Sequence, residues 1–347
     1  MKTRIFLLVA LIATGFFTAC NNDVAVDSSK NGPEISFRLQ GGMPEVTTRA
    51  LATTIYNLEA FVVFGTDNVL AATNDLLFDG KTVARKFGGT NDFAYAPAVY
   101  YSEGATNAGF FAFAPVSADV NNTNLASLLT GASFDYMVPA PDHTGNVSQE
   151  DLLVALTAPI TPSTTAVNID FEHALARIFI TAENETPDPI IIKSLKLLNL
   201  ATTGTFNIPP TFAWGWVPDM STASGSEYEY ILPESGVAVP GTIPPATPAK
   251  YYVTSMEQGM LILPQFATNI APFDAFDSDD FALEVIYDFA NLKDQTKNIV
   301  IYDTVTPGLW EFEMGKQYRI NITFTGTAIK FEVTVHDFGA EIDVTTM

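Results

Sequence analysis

Apolar and polar residues alternate along most of this chain with the two-residue period of a β-strand. The clearest segment is Glu34 to Gln40, in which Ile35, Phe37 and Leu39 share one face. Glycine or proline interrupts the sequence about every ten residues, as expected for short strands joined by turns. Phe, Tyr, Val, Ile and Thr, which favour strands, fill the segments between. Helical periodicity is nearly absent, so we predict an all-β protein.

Further segments with strand-like patterning follow along the chain. In order, they are Tyr56 to Gly65, Phe110 to Ala114, Asp151 to Ala155, Val167 to Thr181, Ile190 to Leu200, Tyr228 to Leu232, Leu261 to Phe266, Phe281 to Phe289, Ile299 to Ile301, Tyr318 to Phe324 and Ile329 to Val335. The long segment from Val167 to Thr181 predicts one unbroken strand. The last two segments predict a hairpin that turns at Gly326 and Thr327. The one helix that we expect is short, around Asn124 to Thr130.

The N-terminus has the pattern of a secretory signal. Lys2 and Arg4 precede an apolar run from Ile5 to Ala13, which is too short to span a bilayer. Behind Phe17-Thr18-Ala19 stands Cys20, the single cysteine of the chain. This arrangement resembles the lipobox of bacterial lipoproteins, whose cysteine receives fatty acyl chains such as palmitate and becomes the new N-terminus. It implies an anchor in the outer membrane; the alternative is a free cysteine behind an ordinary signal peptide.

Length and loop composition predict the domain organisation. A chain of 347 residues is long enough for two domains of ordinary size. The proline-containing loop near residues 159–165 is the best boundary between them. We therefore expect a signal peptide over 1–19, a flexible lipidated tether over 20–33, an N-terminal domain over 34–165 and a C-terminal domain over 166–347.

The charge of the chain limits its partners. It carries 39 acidic residues against 17 basic ones, a formal net charge of −22. Nucleic acid and anionic lipid repel such a surface, so we expect neither as a partner.

No residue pattern predicts an enzyme, a cofactor or a metal site. His143, His173 and His336 are not spaced as metal ligands, and no nucleophile elbow, phosphate loop or dinucleotide fingerprint occurs. The acidic residues within 274–280 lack the glycine and the closing glutamate of an EF-hand loop. A solvated loop is the preferred interpretation there, and a weak calcium site is the alternative.

Two tryptophans, Trp214 and Trp216, lie two residues apart and could stack on a sugar. Such a pair packs in a core more often. If these aromatic faces are exposed, a monomeric surface lipoprotein that binds glycan through its loops is the alternative function.

Five segments carry a resemblance to known proteins. They are DLLVA at 151–155, FEHALARIFI at 171–180, LILPQ at 261–265, LWEFEMGKQYRINITF at 309–324 and IKFEVTVHDFG at 329–339. In this order they resemble the fimbrillin family, the pilus subunits of Bacteroidales, and their Mfa-like relatives. Two details differ, because Trp310 stands five residues before Gly315 and His336-Asp337-Phe338 stands where a Trp is common. The resemblance implies two transthyretin-like Greek-key β-sandwich domains in tandem and a structural or adhesive subunit of a fimbria.

The resemblance also implies proteolytic processing. In similar proteins an arginine-specific protease cuts after an arginine placed like Arg49, and the first strand leaves. We therefore predict cleavage of the Arg49–Ala50 bond, loss of the strand at 34–40, and its replacement by a strand of a neighbouring subunit. The alternative is that Arg49 is an ordinary loop residue. Partners would be other pilus subunits, the protease, the outer membrane, and a ligand on a host or bacterial surface.

The source of the replacing strand stays open. Phe338, Ala340, Ile342 and Val344 alternate. The last nine residues therefore either act as a donor strand or complete the final strand of the second domain.

Overall fold

The computed structural model describes residues 32–39, 58–68, 75–86, 92–118, 120, 132–139, 149–157, 159–208, 215–243, 246–254, 259–268, 280–301, 309–326 and 328–337. Regular structure in these ranges is β-strand, apart from a three-residue 3-10 helix at Met220–Thr222. The all-β prediction is confirmed. The helix expected around Asn124 to Thr130 lies outside the described residues.

No helix in the described ranges is both long enough and apolar enough to cross a membrane.

The first half of the chain contains nine strands, and eight of them form one large sheet. Its nine strands are β1 Phe37–Leu39, β2 Ala60–Asp67, β3 Leu76–Arg85, β4 Asp92–Ala94, β5 Ala108–Ala114, β6 Ala132–Met137, β7 Leu153–Leu156, β8 Val167–Ile169 and β9 Glu172–His173. All except β6 form a sheet in the order β8-β1-β4-β3-β2-β5-β7-β9. Only Asp170 and Phe171 separate the two end strands in sequence, so Ile169 and Glu172 are at most about 11 Å apart. The sheet therefore curls until its two ends meet.

An apolar core fills the inside of this curled sheet. Its buried residues are Ile35, Phe37, Leu39, Leu58, Phe61, Val63, Leu77, Phe78, Val83, Phe93, Val99, Tyr101, Ala108, Phe110, Ala112, Ala114, Leu153, Ala155, Val167, Ile169 and Phe171. Seven of these 21 residues are aromatic, and six of the seven are phenylalanines.

The second half of the chain is a sandwich of two sheets. Its strands are β10 Ala176–Asn184, β11 Ile190–Leu198, β12 Thr203–Ile208, β13 Gly215–Pro218, β14 Glu227–Tyr230, β15 Val237–Val239, β16 Tyr251–Tyr252, β17 Met260–Ile262, β18 Gln265–Thr268, β19 Ala282–Phe289, β20 Leu292–Val300, β21 Leu309–Phe312, β22 Lys316–Phe324 and β23 Ile329–Asp337. One sheet contains β10, β16, β17, β22 and β23, and the other contains β11, β14, β15, β19 and β20. Their inner side chains share one core. The β-sandwich prediction is thus confirmed.

A three-stranded sheet in the order β13-β12-β6 joins the two halves. Phe134 of β6 stacks on Phe206 of β12, with ring centroids 5.1 Å apart. Both residues belong to a core that also takes in Val62 and Phe111 from the first sheet. The division between residues 165 and 166 stays a prediction, and β8 and β9 just beyond it lie in the first sheet.

The terminal hairpin is confirmed, but the single strand predicted from Val167 to Thr181 is wrong. β22 and β23 pair from Phe324↔Ile329 to Lys316↔Asp337. Val167 to Thr181 instead forms β8, β9 and β10, which belong to two different sheets. Most of the connecting residues are buried, so the alternation gives no signal at the point where the chain passes from one core to the other.

Candidate functional site

The strand β1 lies inside the first sheet, with a neighbour on each side. It pairs antiparallel with β4 in the register Phe37↔Phe93 and parallel with β8 in the register Phe37↔Val167. β2 follows β1 in sequence but is not its neighbour, because β4 and β3 lie between them. Three inter-strand spacings, about 14 Å, separate the two strands. The residues between β1 and β2 in the sequence, 40–57, lie outside the described residues.

Backbone hydrogen bonds also hold the residues that lead into β1, in addition to the pairing of β1 with β4 and β8. Gly32 donates to the carbonyl of Tyr101 over 3.2 Å, and Ile35 donates to the carbonyl of Val99 over 2.9 Å. On the other side, the amide of Val167 donates to the carbonyl of Ser36 over 2.7 Å. β1 therefore completes ladders on both of its edges.

The apolar face of β1 points into the core. Ile35, Phe37 and Leu39 are 1%, 1% and 3% exposed. Between them, Arg38 faces solvent and pairs with Asp92 at 3.2 Å. Burial of each of the three apolar side chains contributes roughly 1.5–3 kcal/mol.

Four aromatic rings surround Phe37 and form what we call the ring pocket. Their centroids lie 5.4 to 6.0 Å from that of Phe37, at tilted or edge-to-face angles. Such geometry is favourable because the positive edge of one ring meets the negative face of another. The four rings are those of Phe61, Phe78, Tyr95 and Phe110.

A tyrosine of the ring pocket also contacts the backbone of the strand. The phenol of Tyr95 donates a 2.6 Å hydrogen bond to the carbonyl of Ile35. Burial raises the pKa of Tyr95 well above its ordinary value, and burial together with the charge of Asp67 raises the pKa of Tyr101 to about 12. Both phenols therefore remain neutral at physiological pH.

A glycine makes room for two rings of the pocket. A Cβ at Gly65 would lie 2.5 Å from Cδ1 of Phe110 and 3.3 Å from Cδ2 of Phe78. Gly65 pairs directly with Phe110 across β2 and β5. The absent side chain lets the Phe110 ring lie over the β2 backbone.

Most of the residues predicted for function lie outside the described residues. These are Cys20, Arg49, Ala50 and Trp214. Lipidation, cleavage and glycan contact therefore stay predictions.

Trp216 is the exception, and it packs inward. Its ring contacts Phe134, Tyr136 and Phe206 at centroid distances of 6.0, 6.1 and 5.0 Å. Its indole N–H donates to the carbonyl of Ala174 over 2.6 Å. The ring of Trp216 and its indole N–H are thus both engaged in contacts within the protein.

Two of the three histidines, His173 and His336, lie in the described residues. His173 lies 2.5 Å from a carboxylate oxygen of Asp151, and His336 is exposed near the end of β23. No group of three or more His, Cys, Asp and Glu side chains within the described ranges could hold a metal ion. Of the acidic residues at 274–280, the structure describes Asp280, which is buried and whose carbonyl accepts from Asn199.

The sequence interpretation identified β1 but not the ring pocket. Phe61 and Phe110 lie in predicted strands, whereas Phe78 and Tyr95 lie in segments for which no strand was predicted. The available signal was the high phenylalanine content, which indicates an aromatic core but not which rings meet.

Comparisons with known proteins agree with this architecture. The sequence profile of a family described as fimbrillin-like matches residues 48–337, so β1 precedes the matched part. No curated protein sequence matches the chain.

Solved structures show the same fold at low sequence identity. A fimbrial protein from Bacteroides vulgatus is 14% identical with a TM-score of 0.53, covering 80% of this chain and 92% of its own. A protein with a proposed role in cell adhesion from Bacteroides uniformis is 16% identical with a TM-score of 0.50, covering 88% and 99%. One of the same description from Bacteroides ovatus is 15% identical with a TM-score of 0.50, covering 90% and 100%.

Proposed function

Because the chain belongs to the fimbrillin-like family, we propose that it is a fimbrial subunit that polymerises by exchanging its first strand. The chain is exported, acylated at Cys20 and held at the outer membrane. An arginine-specific protease then cuts the Arg49–Ala50 bond and β1 leaves. A strand from a neighbouring subunit fills the vacated slot, and the subunit becomes part of a surface fimbrium.

One observation carries this proposal: β1 is an integral strand of the core, yet the predicted cleavage bond separates it from everything that follows. Its neighbours in the sheet are β4 and β8, and its connection to β2 passes through Arg49. After cleavage, hydrogen bonds and buried side chains alone would hold β1 in the sheet. A second strand with similar side chains can form the same contacts.

The chain that follows the cleavage bond has its own anchor. Nε of Arg85 donates to the carbonyl of Leu58 over 2.9 Å, and the backbone amide of Arg85 donates to the backbone carbonyl of Glu59 over 2.7 Å. Leu58 is buried, at 3% exposure. Cleavage eight residues earlier therefore leaves the start of β2 in place.

The positions of the other arginines favour cleavage at Arg49. A peptide bond within a hydrogen-bonded strand is a poor protease substrate until the strand opens. After Arg4 of the signal, the sequence contains five arginines. Four of them lie in described strands, namely Arg38 in β1, Arg85 in β3, Arg177 in β10 and Arg319 in β22.

Limited digestion with an arginine-specific protease tests the proposal. We expect the first new N-terminus to be Ala50, and we expect polymers of the cut chain by native electrophoresis and electron microscopy. Arg49→Ala should prevent both results, and Arg38→Ala serves as the matched control that is still cut at Arg49. First cleavage at another arginine, or a cut chain that stays monomeric, would contradict strand exchange.

Mass spectrometry of the membrane-bound protein tests the anchor separately. We expect an N-terminal peptide that begins at an acylated Cys20, and release of the protein from the membrane in Cys20→Ala. An unmodified Cys20 in the exported protein would contradict the lipid anchor without affecting the exchange mechanism.

A further inference from the structure

We propose that the slot that β1 occupies between β4 and β8 selects a strand that has an aromatic side chain at its centre and runs in the same direction as β8. This inference rests on the proposed strand exchange. It defines the chemistry of the partner strand, an extended segment in which apolar residues flank an aromatic residue at alternate positions.

The first argument is that Phe37 joins two otherwise separate groups of rings. On one side, Phe61 contacts Phe93 and Phe171 at 5.1 and 5.6 Å. On the other side, Phe78 contacts Tyr95 and Phe110 at 5.1 and 6.0 Å. Among the described residues, the ring contacts between these two groups pass through Phe37.

The loss of β1 would therefore leave a gap bounded by aromatic faces and edges. A leucine can fill part of that volume but cannot form the edge-to-face contacts. One or two such ring pairs correspond to about a ten-fold difference in affinity. Gly65 supports this specificity, because a side chain there would collide with Phe110 and crowd Phe78, two of the rings that bound the gap.

The second argument concerns direction. β1 runs parallel to β8 and antiparallel to β4, and parallel and antiparallel ladders place their hydrogen bonds differently. The amide of Val167 and the carbonyl of Val99 are positioned for this one direction, through Ser36 and Ile35. A reversed strand would run parallel to β4 and antiparallel to β8. Its hydrogen-bonding groups would then not match the positions that these two strands offer.

The uncut, full-length chain tests the ring pocket without any processing step. Phe37→Ala should leave a cavity that binds benzene better than cyclohexane at equal free concentration. We expect benzene near saturation to raise the melting temperature of this variant by about 2–4 °C. Leu39→Ala, on the same face of the same strand, should show no such preference. Equal stabilisation by the two solvents, or none, overturns the aromatic selectivity.

A milder variant covers the case in which Phe37→Ala does not fold. Phe37→Leu keeps a large apolar side chain, and its melting temperature should fall by about 2–4 °C. Leu39→Met, a volume-conserving change on the same strand, should shift it much less. An unchanged melting temperature in Phe37→Leu would contradict the inference.

Peptide competition on the cut chain tests both the selectivity and the direction. After N-terminal sequencing confirms the cut at Arg49, labelled peptides with the sequence of residues 34–40 are added and their anisotropy is measured. The Phe37 peptide should bind at least about ten-fold more tightly than its Leu version. The same residues in reverse order should not compete.

Equal affinity of the Phe and Leu peptides, or of the forward and reversed peptides, overturns the inference. If instead the chain is not cut at Arg49 or no peptide enters, the proposed exchange fails. The solvent experiment on the uncut chain then still decides whether the pocket prefers an aromatic ring.

Discussion

The phenol of Tyr95 donates a 2.6 Å hydrogen bond to the carbonyl of Ile35, so one side chain of the pocket holds the backbone of the first strand. The same ring lies 5.9 Å from that of Phe37. The backbone contact does not depend on the side chains of the strand, so Tyr95 could form the same bond with the replacement strand that we propose.

Tyr95→Phe should weaken the hold on the first strand. The ring contacts remain, but the hydrogen bond is lost, so we expect the free energy of unfolding to fall by about 0.5–1.5 kcal/mol. Urea denaturation measures this loss. Tyr100→Phe, in the same segment but 40% exposed, is the control and should change stability little. Equal effects of the two changes would show that the phenol of Tyr95 does not stabilise β1.

Gly65→Ala should displace the wall of the ring pocket. The added methyl group would lie 2.5 Å from Phe110, and such overpacking costs about 1–3 kcal/mol. The comparison is Gly215→Ala, where a Cβ meets nothing within 4 Å. If thermal melting shows both variants as stable as the parent, Phe110 has more freedom than the close contact indicates.

Asp288 should make part of the stability dependent on acid pH. Its carboxylate accepts from the amide of Asp294 at 3.0 Å and from Nζ of Lys293 and Lys193 at 3.0 and 3.2 Å. These contacts lower its pKa from 3.8 to about 2, with the bond from the Asp294 amide as the largest cause. Because the folded-state pKa is depressed, this stabilisation is present above about pH 3.8 and is lost as the pH falls through 2.

Urea midpoints measured between pH 2 and pH 5 check this dependence. Asp288→Asn should unfold at lower urea than the parent near pH 5, and the gap should narrow toward pH 2. The exposed Asp79→Asn is the control. A gap that stays constant across the range would mean that the ionised carboxylate is not the source of the effect.

Trp216→Phe separates packing from hydrogen bonding in the sheet that joins the halves. The variant keeps an aromatic ring near Phe134 and Phe206 but loses the 2.6 Å bond to Ala174. We expect a loss of about 0.5–1.5 kcal/mol, against about 3–5 kcal/mol for Trp216→Ala. Chemical denaturation measures both variants. Loss of a glycan-array signal in the folded Trp216→Phe variant would favour the glycan-binding alternative.

The alternation of side chains was sufficient to predict the fold class, β1 and the terminal hairpin. It failed at Val167 to Thr181, which forms three strands rather than one, because Ala174 and Leu175 at the passage to the second core are apolar and buried and give no polar break. It also failed for β3, since Leu76–Arg85 is largely polar on its exposed face and contains Gly80 in a left-handed conformation (φ +68°).

The ring pocket could not be predicted for a different reason. Phe61, Phe78, Tyr95 and Phe110 come from separate strands or loops, and their meeting depends on strand order. The order β1-β4-β3-β2-β5 places non-consecutive strands side by side. One sequence does not reveal that order.

The two ends of the eight-stranded sheet are linked through Asp170 and Phe171 alone. With β1 absent, β8 would stay attached to the sheet through these two residues and β9, and the opening between β4 and β8 would be about two inter-strand spacings wide, or roughly 10 Å. Such a gap accommodates one strand and no more. Each subunit would accept a single neighbour there, and a fibre built in this way would grow as an unbranched line.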